Sequence, residues 1–191
     1  MSSKSKVIVL RRLLVGEEDL LLKVYGWGGV MNLFVREGAL AQSRYAGIFE
    51  PFNVVELTYR QSGEIIIPID ISKVSFLSYL ALESYERYLW MCSLAGFFIK
   101  WVRYYDKQLF EVFLNYLSIR IKNVSIFFLR FKLDILKAMG LYKEMIFEED
   151  IRSVVRTLSE GRKLLLERMK LDKEIISKIE KIIDAHLEMS L

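Results

Sequence analysis

Residues 19–36 read DLLLKVYGWGGVMNLFVR. Two runs of alternating character, 19–25 and 30–36, flank the glycine-rich turn Gly26-Trp27-Gly28-Gly29. Period-2 alternation around a short glycine-containing loop predicts a β-hairpin. Symmetric pairing across that turn sets Val24 against Met31, Leu22 against Leu33 and Leu20 against Val35, so this face belongs to a core. The other face pairs Tyr25 with Val30, Lys23 with Asn32, Leu21 with Phe34 and Asp19 with Arg36. A slip of one residue would exchange the two sets, which specifies the register. The second face mixes rings with cations. Single-stranded nucleic acid is held by that combination, with bases stacked on rings and phosphates on cations. Lys23, Tyr25, Phe34 and Arg36 are therefore candidate nucleic-acid contacts. Trp27, between glycines in the turn, either stacks on a base or plugs the end of the structure that the hairpin builds.

Outward from the hairpin, residues 7–15 form a first strand. Arg11 and Arg12 interrupt its apolar run, so at least one of them faces solvent. Residues 37–49 are a polar, small-residue connection in which the adjacent Arg44 and Tyr45 offer a cation and a ring. Residues 53–59 form a fourth strand, Gln61-Ser62-Gly63 a turn, and 64–69 a fifth strand. Five short strands in the first 70 or so residues fit a small closed barrel of the OB type; an SH3-like barrel fits the periodicity nearly as well. From about Ser75 the spacing becomes helical. Leu82, Tyr85, Leu89, Cys92, Gly96 and Ile99 mark one helix. A second starts with Asp106 as its cap, a third ends at Gly140, a fourth carries Ile151 to Leu158, and a short one reaches about Met169. Asp172 caps the last. The expected fold class is α+β: an OB-type barrel over residues 1–74, followed by an all-α helical bundle over 75–191.

The composition bounds the function. With 53% hydrophobic and 27% charged residues, the 191-residue chain can bury a sizeable core. A net charge of +4 is mildly basic and fits nucleic acid. Residues 1–6 lack a signal-peptide apolar region, and the uncharged run 88–99 is too short to cross a bilayer, which predicts a cytoplasmic protein with no membrane association. The lone cysteine, Cys92, excludes a disulfide framework or a multi-cysteine zinc site, and reads as a core residue on a helix. The only histidine, His186, lies near the C-terminus, so no catalytic triad is expected, and none of the motifs is enzymatic. Neither a cofactor nor a metal is expected. The carboxylates Glu17, Glu18 and Asp19 read as a solvated turn.

The order of motifs resembles the RecO family of recombination mediators. The matching residues are Gly16-Glu17-Glu18-Asp19 after the first strand, Gly28-Gly29 in the hairpin turn, Gly38 after the third strand, Ser43-Arg44, and Glu50-Pro51-Phe52 before the fourth. Phe131, Leu136 and Gly140-Leu141 extend the likeness into the helical part. The resemblance implies an OB-fold and a helical domain without a catalytic site. It further implies binding and annealing of single- and double-stranded DNA, cooperation with RecR in loading a recombinase, association with the nucleoid, and recognition of the C-terminal tail of single-stranded DNA-binding protein. On this reading Arg11, Arg12, Lys23, Tyr25, Trp27, Phe34, Arg36, Arg44 and Tyr45 contact DNA. Lys100, Arg103 and Lys107 would take the acidic tail beside the aromatic run Phe97 to Tyr105, although core packing is the plainer role for most of those rings. Arg152, Arg156 and Lys163 would form a second basic patch, unless the interleaved glutamates make that face an ordinary solvated one. Two features depart from the family. Residues 142–150 contain no cysteine where many members carry a four-cysteine zinc module, and Glu37 offsets charge next to Arg36. An adaptor whose barrel binds protein rather than DNA is the competing reading, and an RNA-binding OB-fold is a third.

Overall fold

A computed structural model describes residues 3–190 of the chain. Five strands, β1 (Ser3–Val15), β2 (Asp19–Gly26), β3 (Gly29–Val35), β4 (Val54–Ser62) and β5 (Ile65–Ser75), close into a barrel in the order β1-β2-β3-β5-β4. Every pairing is antiparallel except the short parallel contact of β3 with β5, through Asn32↔Ile65 and Leu33↔Ile66. This is the OB-type barrel, and the order of closure settles it against the SH3-like alternative. The predicted hairpin register holds at each core pair: Leu20↔Val35, Leu22↔Leu33 and Val24↔Met31. These side chains join Val7, Val9, Val55, Leu57 and Ile66 inside the barrel.

Several strand ends differ from the sequence reading. β1 starts at Ser3, because the polar residues Ser3 to Lys6 pair with β4 opposite Tyr59 to Glu56. β5 continues to Ser75, well past the expected end at 69. Pro68 and Asp70 read as strand breakers, yet Pro68 sits where the β4–β5 register shifts between Thr58 and Tyr59. An irregular step in the ladder tolerates a missing N–H.

The chain forms two compact units, Met1–Phe110 and Glu111–Leu191. The first contains the barrel, a 3-10 turn at Leu77–Leu82 and helix α1 (Tyr85–Trp101), and the division falls inside α2 (Lys107–Ser118). Ser84 starts α1 by accepting the Arg87 N–H at 3.1 Å, so Leu82 lies outside the helix and is exposed instead of lining its apolar face. Cys92 is half-buried, at the margin of the helix's packed face and not within the core as expected. Asp106 caps α2 as predicted: its carboxylate accepts the N–H groups of Gln108 (2.7 Å) and Leu109 (3.1 Å).

The second unit holds α3 (Val124–Ala138), α4 (Glu149–Glu160), α5 (Lys163–Arg168) and α6 (Lys173–Ser190). Gly140, at φ +71°, ends α3: its N–H reaches the Lys137 carbonyl, and the Leu141 N–H returns to Leu136 at 2.8 Å. Those two bonds are a Schellman cap. His186 of α6 donates from Nε2 to the Leu141 carbonyl at 2.9 Å, which fastens the last helix to that cap. Lys132 of α3 is buried and reaches Glu180 (3.2 Å) and Asp184 (3.4 Å) on α6.

Candidate nucleic-acid interface

The outer face of the β2–β3 hairpin carries Lys23↔Asn32, Leu21↔Phe34 and Tyr25↔Val30, as the alternation requires. What covers this face differs along its length. At the end nearest the turn, Tyr25 is fully buried. Its ring meets Phe98 edge-on at 5.0 Å and stacks on Phe110 at 6.1 Å, and its hydroxyl accepts the Asp106 N–H at 3.2 Å. Burial pushes the phenol pKa up to about 12, against the lowering effect of the Asp106 backbone hydrogen bond. Tyr25 is therefore a clamp between sheet and helix and has no ring face to offer a base. Toward the opposite end Lys23 and Phe34 are half-exposed, and Arg36 is exposed.

Trp27 plugs the barrel end. Its indole stacks on Tyr59 at 4.0 Å and packs on the barrel core. Tyr45 is likewise a core residue: it is buried, lies 5.7 Å from Phe49, and its hydroxyl donates to the Pro68 carbonyl at 3.4 Å. The small connection between β3 and β4 folds Tyr45 and Phe49 inward, so the ring expected to meet DNA fills the barrel mouth. Its neighbour Arg44 stays at the surface, with the guanidinium 4.6 Å over the Tyr45 ring. Arg44 also donates to the Tyr45 hydroxyl (2.5 Å) and the Ile69 carbonyl (3.1 Å). A guanidinium has five N–H donors, so two such bonds leave others for a phosphate.

Arg36 and Arg44 line one cleft of about 470 Å³ at the barrel rim, with Gln42, Ser43 and Pro68 among its other walls. The fifth strand is predicted, but its place beside the β3–β4 loop is not, because β5 reaches β3 through a parallel, non-local pairing. A second hollow of about 400 Å³, next to the first, is lined by Glu17, Glu18, Asp19, Arg36 and Glu37. Glu37 holds a left-handed backbone at φ 55°, and its N–H donates to Asp19 at 2.8 Å. Glu37 lines both hollows, so Arg36 stands between an acidic turn and a cleft that holds two guanidiniums and one carboxylate. Its ion pair with Glu37, 3.8 Å and well exposed, is weak.

The remaining candidates are spread over the molecule. Arg11 is exposed, while Arg12 is half-buried and ion-paired with Glu50, which removes it from a free basic face. Lys100 lies over the Trp101 ring at 4.2 Å; Arg103 and Lys107 are exposed. Phe97, Phe98 and Trp101 are core, whereas Tyr104 and Tyr105 remain partly exposed beside the three cations. In the second unit each cation of the expected patch serves a separate local partner. Arg152 donates to the Phe147 carbonyl (3.0 Å), Arg156 pairs with Glu144 (2.6 Å), and Lys163 donates to the Arg120 carbonyl (2.7 Å). Among the described residues no cluster of metal-ligating side chains occurs, and no helix is long and apolar enough to cross a membrane.

Comparison with known proteins agrees with the barrel. Residues 1–67 match the family described as recombination protein O N terminal. An uncharacterized protein of Aquifex aeolicus (strain VF5) is 36% identical over 149 residues, which cover 78% of this chain and 69% of the relative. That N-terminal domain points to a role in DNA repair and recombination, and to interaction with DNA in general. The OB-type barrel, its order of closure and these matches together show that the chain belongs to the RecO family.

Proposed function

We propose that this protein is a non-enzymatic recombination mediator that captures single- and double-stranded DNA at the rim of its barrel, anneals complementary strands and, with RecR, helps load a recombinase. The observation that carries this reading is the cleft that places Arg36 and Arg44 together. Two guanidiniums lining one cleft would offer fork-shaped sets of donors to phosphates. Lys23 and Phe34 extend the surface along the outer face of the hairpin. The cations Lys100, Arg103 and Lys107 beside Tyr104 and Tyr105 would take the acidic C-terminal tail of single-stranded DNA-binding protein.

The test is binding of a fluorescent single-stranded oligonucleotide across a salt series. Phosphate contacts release counterions, so affinity falls steeply with salt. The R36A/R44A double variant, folded by circular dichroism, is expected to bind at least tenfold more weakly and to lose roughly 1.4 from its log–log salt slope, two contacts at about 0.7 each. Unchanged affinity would remove the cleft from the DNA path. The adaptor reading has one observation in its favour: the carboxylates of Glu17, Glu18, Asp19 and Glu37 crowd Arg36. On that reading the chain alone binds no DNA even at low salt, and RecR must complete the site.

A further inference from the structure

β1 has one partner on each of its edges, and each covers only part of its length. Ser3–Ile8 pairs with β4, and from Ile8 to Val15 the strand pairs with β2. On the β4 side the backbone bonds continue to Val9, which accepts the Phe52 N–H at 2.7 Å and donates to Asn53 at 2.9 Å. Beyond the bulge between Val9 and Arg11, no described strand lies on that side. Residues 11–15 are therefore an open sheet edge. Barrels close their edges, and exposed ones are usually blunted by charge or proline. Here the edge carries Leu13, Leu14 and Val15, exposed by 40%, 61% and 42%. Successive strand side chains point to opposite faces, so apolar surface is presented on both. Three consecutive exposed aliphatics are out of place unless something covers them.

The residues around this triplet indicate what covers it. The run Arg11-Arg12-Leu13-Leu14-Val15-Gly16-Glu17 complements itself when read antiparallel. A two-fold axis through Leu14 sets Leu14 on its own copy and Leu13 on Val15, and brings Arg11 beside the turn at Gly16–Glu18 of the other copy, which carries Glu17. Moving the axis to Leu13 puts Arg12 against Leu14. Moving it to Val15 brings Leu13 beside that turn instead. Arg11 and Glu17 are both exposed, and neither has an ion-pair partner among the described residues.

We propose that this edge joins two copies of the chain: residues 11–15 pair antiparallel with the same segment of a second copy, with Leu14 on the two-fold axis and Arg11 beside the turn that carries Glu17. The two barrels then share one continuous sheet through β1, held by main-chain bonds in the manner of strand addition. One strand pair covers far less than the roughly 1,200–2,000 Å² of a stable interface, so the dimer forms on the order of tens of micromolar.

Analytical ultracentrifugation of the full chain without DNA, from about 1 to 150 μM, tests this. The expected result is a shift from the 22.5 kDa monomer toward twice that mass. Arg11→Glu and Glu17→Arg, made singly, are each expected to weaken association at least fivefold, and together to restore it to within about twofold of wild type. In a Cys92→Ala background, Leu14→Cys should form an interchain disulfide under mild oxidation many times faster than Leu82→Cys, a control position exposed by 79%. A monomer throughout the range overturns the proposal. So does a dimer that the paired charge reversal fails to restore, or one in which both cysteines cross-link at the same rate.

Discussion

Tyr25 is a polar-tipped ring taken out of water, and its stability contribution depends on pH. Its folded pKa of about 12 lies above the ordinary value of 10.0. The contribution is fully present below pH 10 and is lost as pH rises through 12; it amounts to roughly 2–3 kcal/mol. Urea midpoints measured from pH 8 to 11.5 should therefore fall in the upper part of that range. Tyr25→Phe should flatten the fall while lowering stability at pH 8 by about 1 kcal/mol, since the Asp106 backbone loses its hydroxyl partner. Some slope persists, because burial and the neighbouring Asp134 raise Tyr116 in the same direction. Gly29 is a second sensitive position, at φ +79° with the Arg103 carbonyl where a side chain would begin. Gly29→Ala should cost about 1–3 kcal/mol by the same measurement. Alternation in the sequence assigned Tyr25 to the correct face. Alternation carries no information on what lies over that face, so it cannot tell a buried clamp from a stacking platform. Tyr45 is hidden for a related reason: no periodicity marks a ring in a polar loop as inward-facing.

At the scale of elements, the parts that were legible are those whose determinants are local. The β2–β3 register follows from alternation about one turn, and the caps at Asp106 and Gly140 follow from single residues. The extension of β5 past Pro68 depends on irregular pairing with β4, which no local pattern records. Lys132 shows the same limit on α3, because its carboxylates lie on α6, 48 and 52 residues away. This buried ammonium makes a directional prediction. Glu180→Gln with Asp184→Asn leaves the charge without its two carboxylates and should destabilise by about 3–5 kcal/mol. Lys132→Met removes the charge itself and should cost much less. Chemical denaturation of the two variants side by side gives the order.

For the whole molecule, the switch from strand to helix near Ser75 is not where the first compact unit ends. That unit runs on to Phe110, and Phe98 of α1 with Phe110 of α2 supplies the cover over Tyr25. A fragment of residues 1–110 should melt cooperatively, whereas one of residues 1–74 should bind a hydrophobic dye and show no sharp transition by circular dichroism. The clamp between Tyr25 and Asp106 also bears on biosynthesis. The hydroxyl waits for a partner 81 residues further along the chain. At about 5–20 residues per second, the hairpin leaves the ribosome roughly 4–16 s before its cover is made. During that interval the nascent barrel leaves the Tyr25 ring uncovered, so slowing translation between the two positions should increase the demand for chaperones bound near the tunnel exit.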